Sequence, residues 1–173
     1  MTPKRKISLV RWTISLAIML PLVFIWAMFL GKWWLPYKVV SASMSPTLEA
    51  DDRVIMKQVE NFGNLRDEII AFKDPTGEGG ALTKRVIADE NSTVQMRNGQ
   101  MFVDSASQPV PGETIANVPD QKWEVGPGEV FVVGDNRNDS FDSIDYGPIG
   151  RTSILGVITF RYWPWARIGR VAG

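Results

Sequence analysis

The sequence predicts a mainly β protein that begins with one transmembrane helix and continues as a β-rich domain. The first observation is an uncharged stretch of nineteen residues, Trp12–Leu30, near the N-terminus. The second is a series of short segments of strand-like composition, separated by turn signals such as Asp74-Pro75. The third is that no amphipathic helix pattern follows residue 38. We therefore expect an N-terminal anchor over residues 1–32 and a β-rich domain over residues 33–173.

The uncharged stretch has the length and the flanks of a membrane anchor. A helix of nineteen residues spans about 28 Å, close to the hydrocarbon thickness of a bilayer. Basic residues precede the stretch and basic and aromatic residues follow it: Lys4, Arg5, Lys6 and Arg11 before, then Lys32, Trp33, Trp34 and Tyr37. By the positive-inside rule, this asymmetry places the N-terminus in the cytoplasm and the following domain outside.

A cleaved signal peptide is the alternative interpretation of this N-terminus. Val40-Ser41-Ala42 has the small residues of a cleavage site. However, the apolar region of a signal peptide usually has only about 7–15 residues, and this stretch is longer. A retained single-pass anchor is therefore favoured.

Charge changes sign at the same boundary. Residues 1–38 contain six basic and no acidic residues, whereas residues 39–173 contain thirteen basic and nineteen acidic ones, a formal charge of −6. An acidic domain argues against nucleic acid as a partner, and the basic N-terminus favours a lipid bilayer.

Seven strands are predicted in the domain. They are Arg53–Val59, Glu68–Phe72, Ala81–Ala88, Thr93–Arg97, Gln100–Asp104, Glu129–Val133 and Ile154–Tyr162. Asn98-Gly99 joins two of them and is typical of a type I′ hairpin turn. Residues 105–121 are polar and contain proline, which indicates an irregular excursion.

A serine cluster, Ser41-Ala42-Ser43-Met44-Ser45-Pro46-Thr47-Leu48, directly follows the anchor. In an extended backbone Ser41 and Ser43 project to the same side. A serine hydroxyl becomes a nucleophile when a nearby base accepts its proton. The chain has no histidine and no cysteine, which excludes a Ser-His-Asp triad, a Cys-His pair and the commonest zinc sites. A juxtamembrane linker is the simpler alternative for this stretch.

Carboxylates and lysine remain as candidate bases, and a lysine is suitable only if burial lowers its pKa. In a strand, Lys84 shares one face with Leu82 and Val86, so it has apolar neighbours on both sides. Lys57 has the same pattern between Ile55 and Val59 and is the rival candidate. An ordinary edge-strand lysine is the alternative for both.

A polar loop, Gly134-Asp135-Asn136-Arg137-Asn138-Asp139-Ser140-Phe141-Asp142-Ser143, follows a predicted buried strand. Its glycine, aspartate and asparagine residues indicate a tight turn. In an extended backbone Ser140 and Asp142 lie on the same side, where they are able to orient a lysine ammonium group. A solvated turn is the alternative, and the loop lacks the glycine and distal glutamate of an EF-hand.

Three motifs together resemble the type I signal peptidase family of membrane-anchored serine proteases. They occur in the family's order and are the serine cluster, Thr83-Lys84-Arg85-Val86, and Gly134-Asp135-Asn136-Arg137 with Ser140, Asp142-Ser143 and Gly147. The resemblance implies an all-β catalytic domain of coiled antiparallel sheets. It also implies a hydrolase that cleaves signal peptides from exported preproteins after small residues at −3 and −1, without a cofactor or metal. The enzyme is expected in the plasma (inner) membrane, with its catalytic domain on the outer or periplasmic face.

The same resemblance assigns roles to individual residues. Ser43 is the expected nucleophile and Lys84 the general base of a Ser-Lys dyad. The Ser41 hydroxyl and the Ser43 backbone N–H are expected to form the oxyanion hole. Ser140 is expected to hydrogen-bond the lysine, and Asp142 to support the site.

Two positions depart from the family pattern. Ile144 stands where the family commonly has arginine, so Asp142 is expected to pair with Arg85 or Arg137 or to matter less. Ala88-Asp89-Glu90-Asn91 replaces the family's glycine-containing turn after the lysine strand. Two alternative interpretations of the chain therefore remain. The first is a specialised relative, such as a conjugative-pilin maturation peptidase, and the second is a non-catalytic, membrane-anchored β-domain for envelope assembly.

Overall fold

The fold was analysed in a computed structural model that describes residues 3–30, 34–58, 63–77, 79–104, 106–107, 115 and 118–171. The chain divides into two compact units, residues 1–35 and residues 36–173.

The first unit contains one long helix, α1 (Pro3–Leu30), with Pro21 inside it. Large apolar side chains from Val10 to Trp26 are exposed along this helix. In the described part of the chain, no helix combines the length and the apolarity of a membrane span. The span predicted over Trp12–Leu30 is therefore not confirmed. Lys32 and Trp33 of the predicted flank lie outside the described residues.

The second unit is mainly β, as predicted. Its strands are β1 (Trp34–Lys38, which begins in the first unit), β2 (Arg53–Lys57), β3 (Ile69–Lys73), β4 (Ala81–Ala88), β5 (Thr93–Arg97), β6 (Gln100–Val103), β7 (Ala106–Ser107), β8 (Gln121–Glu124), β9 (Glu129–Val133), β10 (Ile149–Gly150), β11 (Ile154–Trp163) and β12 (Gly169–Arg170). A one-turn helix, α2 (Ser143–Tyr146), lies between β9 and β10. Two 3₁₀ turns flank β11, at Arg151–Ser153 and Trp165–Arg167.

These strands form two sheets. The larger has the order β1-β2-β11-β3-β4-β9-β10, with β12 added to β11, and the smaller has the order β7-β6-β5-β8. Apart from β1 and β2, all neighbouring strands named in these orders pair antiparallel. The pairing of β11 with β2 and with β3 contains register shifts. Such bulges increase the local twist of a sheet, which is how the larger sheet curls.

Two apolar clusters form the core, and β4 and β9 contribute to both. Ile87 and Phe131 belong to the first cluster, together with residues of the smaller sheet. Val86 and Val130 belong to the second, with residues of β3 and β11. Because side chains alternate along a strand, the two faces of β4 serve the two clusters. Lys84 shares the face of Val86, as its place in the sequence predicted.

The predicted hairpin is confirmed. Val94 pairs with Val103 and Arg97 pairs with Gln100. Asn98 and Gly99 have φ values of 50° and 71°, the positive φ values of a type I′ turn.

Other predictions need correction. β8 lies at the end of the stretch expected to be irregular, and β7 lies within it. The helix α2 was not predicted, because one turn is too short to display a helical period. Val59, which was predicted to end a strand, lies outside the described residues.

Candidate active site

The serine cluster folds into consecutive turns and not into the extended segment that was expected. Backbone hydrogen bonds from Ser45 N to the Ala42 carbonyl (3.0 Å) and from Leu48 N to the Met44 carbonyl (2.8 Å) close these turns. Met44 and Leu48 are 1% and 0% exposed, so apolar burial pins the segment on both sides of its cis Ser45-Pro46 bond. Burial of two such side chains contributes several kcal/mol, about 1.5–3 each, to keeping the segment in place.

Ser41 and Ser43 are nevertheless close together. Their hydroxyl oxygens lie 3.0 Å apart, within hydrogen-bonding distance. Ser43 is buried and Ser41 is exposed. The turn therefore presents two hydroxyl groups at one place, although it does so by local folding and not by strand alternation.

The loop after β9 holds the backbone around Ser43. The Asn136 N–H donates to the Ser43 carbonyl (3.0 Å), and the Asn136 side-chain amide donates to the Ala42 carbonyl (3.3 Å). A Cβ on Gly134 would lie 2.5 Å from the Ser43 carbonyl oxygen and 2.3 Å from the Ser140 hydroxyl. Only glycine fits where the serine turn and this loop approach so closely.

Lys84 is buried and hydrogen-bonded to the same loop. It is 3% exposed, and its Nζ donates to the Ser140 hydroxyl at 2.7 Å. The Ser140 hydroxyl in turn donates to Oδ2 of Asp142 at 2.6 Å. Because the Ser140 proton is used on Asp142, its oxygen is left to accept from the lysine. The chain Lys84–Ser140–Asp142 thus has one consistent direction of donation.

Asp142 is satisfied without an arginine. Its Oδ2 also accepts from the Gly134 N–H (2.9 Å), and its Oδ1 accepts from the Ile144 N–H (3.1 Å). Asp142 is the N-cap of α2, and its backbone N–H donates to the Asp145 carboxylate, which completes a capping box. The expectation that Asp142 pairs with Arg85 or Arg137 is therefore wrong for hydrogen bonding, because backbone N–H groups occupy its oxygens.

The two arginines have other environments. Arg85 makes a bidentate ion pair with Asp135, with both N···O distances at 2.8 Å, and also donates to the Asp67 carbonyl. Arg137 is 6% exposed, and its three guanidinium nitrogens have no hydrogen-bond partner among the described residues. Burial lowers the pKa of Arg137 to about 10, against the opposing charges of Asp142 and Asp135.

The electrostatics of the site act on both Lys84 and Asp142. Burial lowers the pKa of Lys84, and the charges of Asp142, Asp145 and Asp139 oppose this shift. Burial raises the pKa of Asp142, against the hydrogen bonds that it accepts and the charge of Lys84. The pocket therefore disfavours charge on both groups, and the neutral form of Lys84 becomes more accessible than that of a solvated lysine.

Ser43 and Lys84 line one cavity of about 430 Å³. The walls are otherwise largely apolar and include Val39, Val40, Met44, Ala81, Leu82 and Phe141. Among the described residues no hydrogen bond joins the Ser43 hydroxyl to Lys84 Nζ; they bond to Ser41 and Ser140 instead. Such contacts are often long in the absence of substrate.

Lys57, the rival candidate, is exposed at the end of β2 and lines a different cavity, with Leu65 and Glu68. It is therefore far less suited to act as a base, because its amine stays in water.

Some residues of the site had no predicted role. Asn136 and Gly134 were identified only as turn formers and as part of a family motif, whereas Asn136 bonds to the backbone of Ser43 and Gly134 permits its close approach. Their contacts join segments about ninety residues apart, which no local pattern reveals.

The described residues contain no group of three or more acidic side chains placed to hold a metal ion.

Comparisons with known proteins agree with the motifs. The family model described as signal peptidase, peptidase S26 matches residues 9–163. A signal peptidase I from Leptolyngbya laminosa is 36% identical over 146 residues, which cover 77% of this chain and 70% of that protein. Signal peptidase IB from Staphylococcus aureus is 27% identical over 182 residues, 93% of each chain.

Other relatives are longer. Thylakoidal processing peptidase 1 from the chloroplast of Arabidopsis thaliana is 34% identical over 150 residues, 77% of this chain but only 43% of that protein. The chain thus spans less than half the length of this relative. A crystal structure of a signal peptidase I from Enterococcus faecalis matches with a TM-score of 0.48 and 27% identity, covering 57% of this chain and 98% of that one.

The family model covers most of the chain, including the serine turn, the lysine strand and the loop after β9. The chain belongs to the signal peptidase family, peptidase S26.

Proposed function

We propose that this chain is a membrane-bound serine endopeptidase that removes signal peptides from exported preproteins by means of a Ser43–Lys84 dyad. The observation that carries the proposal is the burial of Lys84 in the cavity that also contains Ser43. A lysine that is removed from water and opposite a serine has the chemistry of a general base.

In the proposed reaction the Ser43 hydroxyl attacks the carbonyl carbon of the scissile bond, and its proton passes to neutral Lys84. The Lys84 ammonium then gives this proton to the leaving amine, and an acyl-enzyme remains on Ser43. Lys84 next activates a water molecule, which hydrolyses the ester and restores the serine. Ser140 accepts one N–H of the lysine, so the lone pair of the neutral amine is free to face Ser43.

The oxyanion is stabilised by the Ser43 backbone N–H and the Ser41 hydroxyl. The position of Ser41, with its oxygen 3.0 Å from that of Ser43, supports this role. The hydroxyl needs only to rotate from Ser43 towards the substrate oxygen. Asn136 supports the same arrangement because it fixes the carbonyls of Ala42 and Ser43.

The cavity suits a peptide with small side chains. Residues 39–42 form one wall and residues 81–83 of β4 form another. A substrate that lies between them as an added strand would bind through backbone hydrogen bonds, with small residues at −3 and −1 facing apolar walls.

Membrane attachment is also part of the proposal. Trp12–Leu30 carries no charge, lies within α1 and has basic residues on its N-terminal side, which supports a single-pass anchor with a cytoplasmic N-terminus. Trp163 and Trp165 are 41% and 72% exposed and suit a bilayer surface. Arg161 and Arg167 are not part of this proposed surface, because both are paired with Asp52.

Replacing Ser43 by alanine is expected to abolish cleavage while the protein still folds. Ser41→Ala removes one oxyanion donor and is expected to lower kcat on the order of 10²–10³-fold, leaving measurable activity. Cleavage of a preprotein by the purified variants measures both effects, with circular dichroism as the control for folding. Wild-type activity of Ser43→Ala would show that the nucleophile is another group, and absence of cleavage by the wild type as well would favour the non-catalytic β-domain.

Lys84→Arg is expected to be as inactive as Lys84→Ala, although it keeps the charge, because an arginine is not deprotonated in proteins. Lys57→Ala is the matched control and should keep most of the activity. For the wild type, kcat/KM should be lost as pH falls through the lowered pKa of Lys84, so the limb lies below the ordinary lysine value of about 10.4. Robust cleavage by Lys84→Arg would place the base elsewhere.

The topology is expected to be N-terminus in and catalytic domain out. Protease added to intact spheroplasts should digest the chain beyond residue 32 and spare a tag at the N-terminus. Digestion of the tag with protection of the domain would show the opposite orientation. Release of the whole chain by a carbonate wash would show that the chain is not anchored in the membrane.

A further inference from the structure

A group of ionised side chains contacts the chain at residues 47, 49 and 52, at the end of the serine cluster and just after it. We propose that Asp52, Arg161 and Arg167, with Glu49, form an ion cluster that positions the Ser43 turn for catalysis. The inference rests on the proposed role of Ser43 as nucleophile. These four residues are called the Asp52 cluster below.

Asp52 is the centre of the cluster and is completely buried, at 0% exposure. One guanidinium nitrogen of Arg167 donates to Asp52 Oδ1 at 2.6 Å, and one of Arg161 lies 3.3 Å from Oδ2. The Glu49 N–H also donates to Oδ2 at 3.0 Å. A carboxylate without solvent is stable only with such partners, because the burial of an unpaired charge is very costly.

The two arginines contact other residues of the same segment in addition to Asp52. The Arg161 nitrogen that faces Asp52 also donates to the Thr47 carbonyl at 2.8 Å. Arg161 Nε donates to the Arg167 carbonyl at 2.5 Å, so the two arginines are tied to each other. Arg167 also pairs with the Glu49 carboxylate at 2.7 Å. The cluster therefore holds the turn at residues 47, 49 and 52 against β11 and the 3₁₀ turn after it.

Backbone hydrogen bonds connect the cluster to the segment that carries Ser43. Val39 and Asp52 lie at the two ends of this segment, and the Val39 N–H donates to the Asp52 carbonyl at 2.9 Å. The Asp51 N–H donates back to the Val39 carbonyl at 2.9 Å. Residues 39–52 thus form a closed loop whose base is fixed by Asp52, while Asn136 holds it at Ser43. Ser43 is positioned from both sides.

The cluster contains two carboxylates and two guanidinium groups, so it is neutral as a whole. Lys84 is not one of its members, and the charges that act on Lys84 come from Asp142, Asp145 and Asp139, with Ser140 as its hydrogen-bond acceptor. Loss of the cluster should consequently change the geometry of Ser43 and leave the pKa of the base in place. This separates a positioning role from an effect on the base.

The test is Asp52→Asn, which keeps the size of the side chain but removes its charge. Displacement of a nucleophile by about 1 Å costs on the order of 10²-fold in rate. We expect kcat to fall about 10- to 100-fold, with KM within about twofold of the wild type and an unshifted pH limb, since the base and the cavity are unchanged. The measurement is steady-state cleavage of a peptide substrate, at a temperature where circular dichroism finds each variant folded.

Two control variants separate positioning from stability. Asp51→Asn changes the neighbouring residue, whose ion pair with Lys38 is exposed, and should be neutral. Asp89→Asn breaks the ion pair of Asp89 with Arg151 at a site away from the cavity, and should lower the Tm without lowering kcat. Asp52→Asn combined with Ser41→Ala should lose less than the product of the two single losses, because both act on the same geometry.

Wild-type kcat in folded Asp52→Asn, or an equal loss of kcat in Asp89→Asn, would overturn the proposal. If Asp52→Asn does not fold, Arg167→Gln and Arg167→Lys test the proposal instead. Arg167→Gln should lower kcat about tenfold or more, whereas Arg167→Lys should keep most of the wild-type kcat. Full activity of Arg167→Gln would also overturn it. Ser43→Ala separately tests the nucleophile on which this inference rests, so failure of the positioning role and failure of the proposed function are distinguishable.

Discussion

The burial of one lysine amine is the constraint on which the site depends. Lys84 lies on the face of β4 that packs into the second apolar cluster, with Leu82 and Val86 on either side. Solvent that would stabilise its charge is excluded, so the neutral amine is favoured relative to a lysine in water. In the proposed dyad this burial makes Lys84 available as the base for Ser43, in a chain that contains no histidine. The sheet therefore creates the chemistry as well as the shape of the site.

The loop after β9 orients the buried lysine. Ser140 accepts from the lysine, Asp142 orients Ser140, and the backbone of Gly134 and Ile144 holds Asp142. A carboxylate that is fixed by backbone N–H groups and a capping box does not need an arginine partner. This explains how isoleucine is accommodated at position 144. The same loop holds the carbonyl of Ser43 through Asn136, so one loop positions both members of the proposed dyad.

Much of the fold followed from local patterns in the sequence. Alternation predicted the face of Lys84, and Asn98-Gly99 predicted the hairpin, because both depend on residues close in the chain. The turn conformation around Ser43 was missed, since burial of Met44 and Leu48 overrides the extended preference of a serine- and proline-containing segment. The backbone partners of Asp142 were also missed, because the N–H groups of Gly134 and Ile144 leave no signature in the sequence. The contacts of Asn136 and Asp52 join residues about a hundred positions apart and have no local signature.

The account is tested most directly by measuring the pKa of Lys84 itself. In protein labelled at the lysine side-chain carbon Cε, each lysine gives a resonance that moves as its amine loses a proton, and Lys84→Arg identifies the resonance of Lys84. The account predicts that the pKa of Lys84 lies below the value of about 10.4 that is usual for lysine, because burial disfavours the charged amine. Titration of the Lys84 resonance at the usual lysine value would contradict it, because the amine would then be solvated and unable to act as the base.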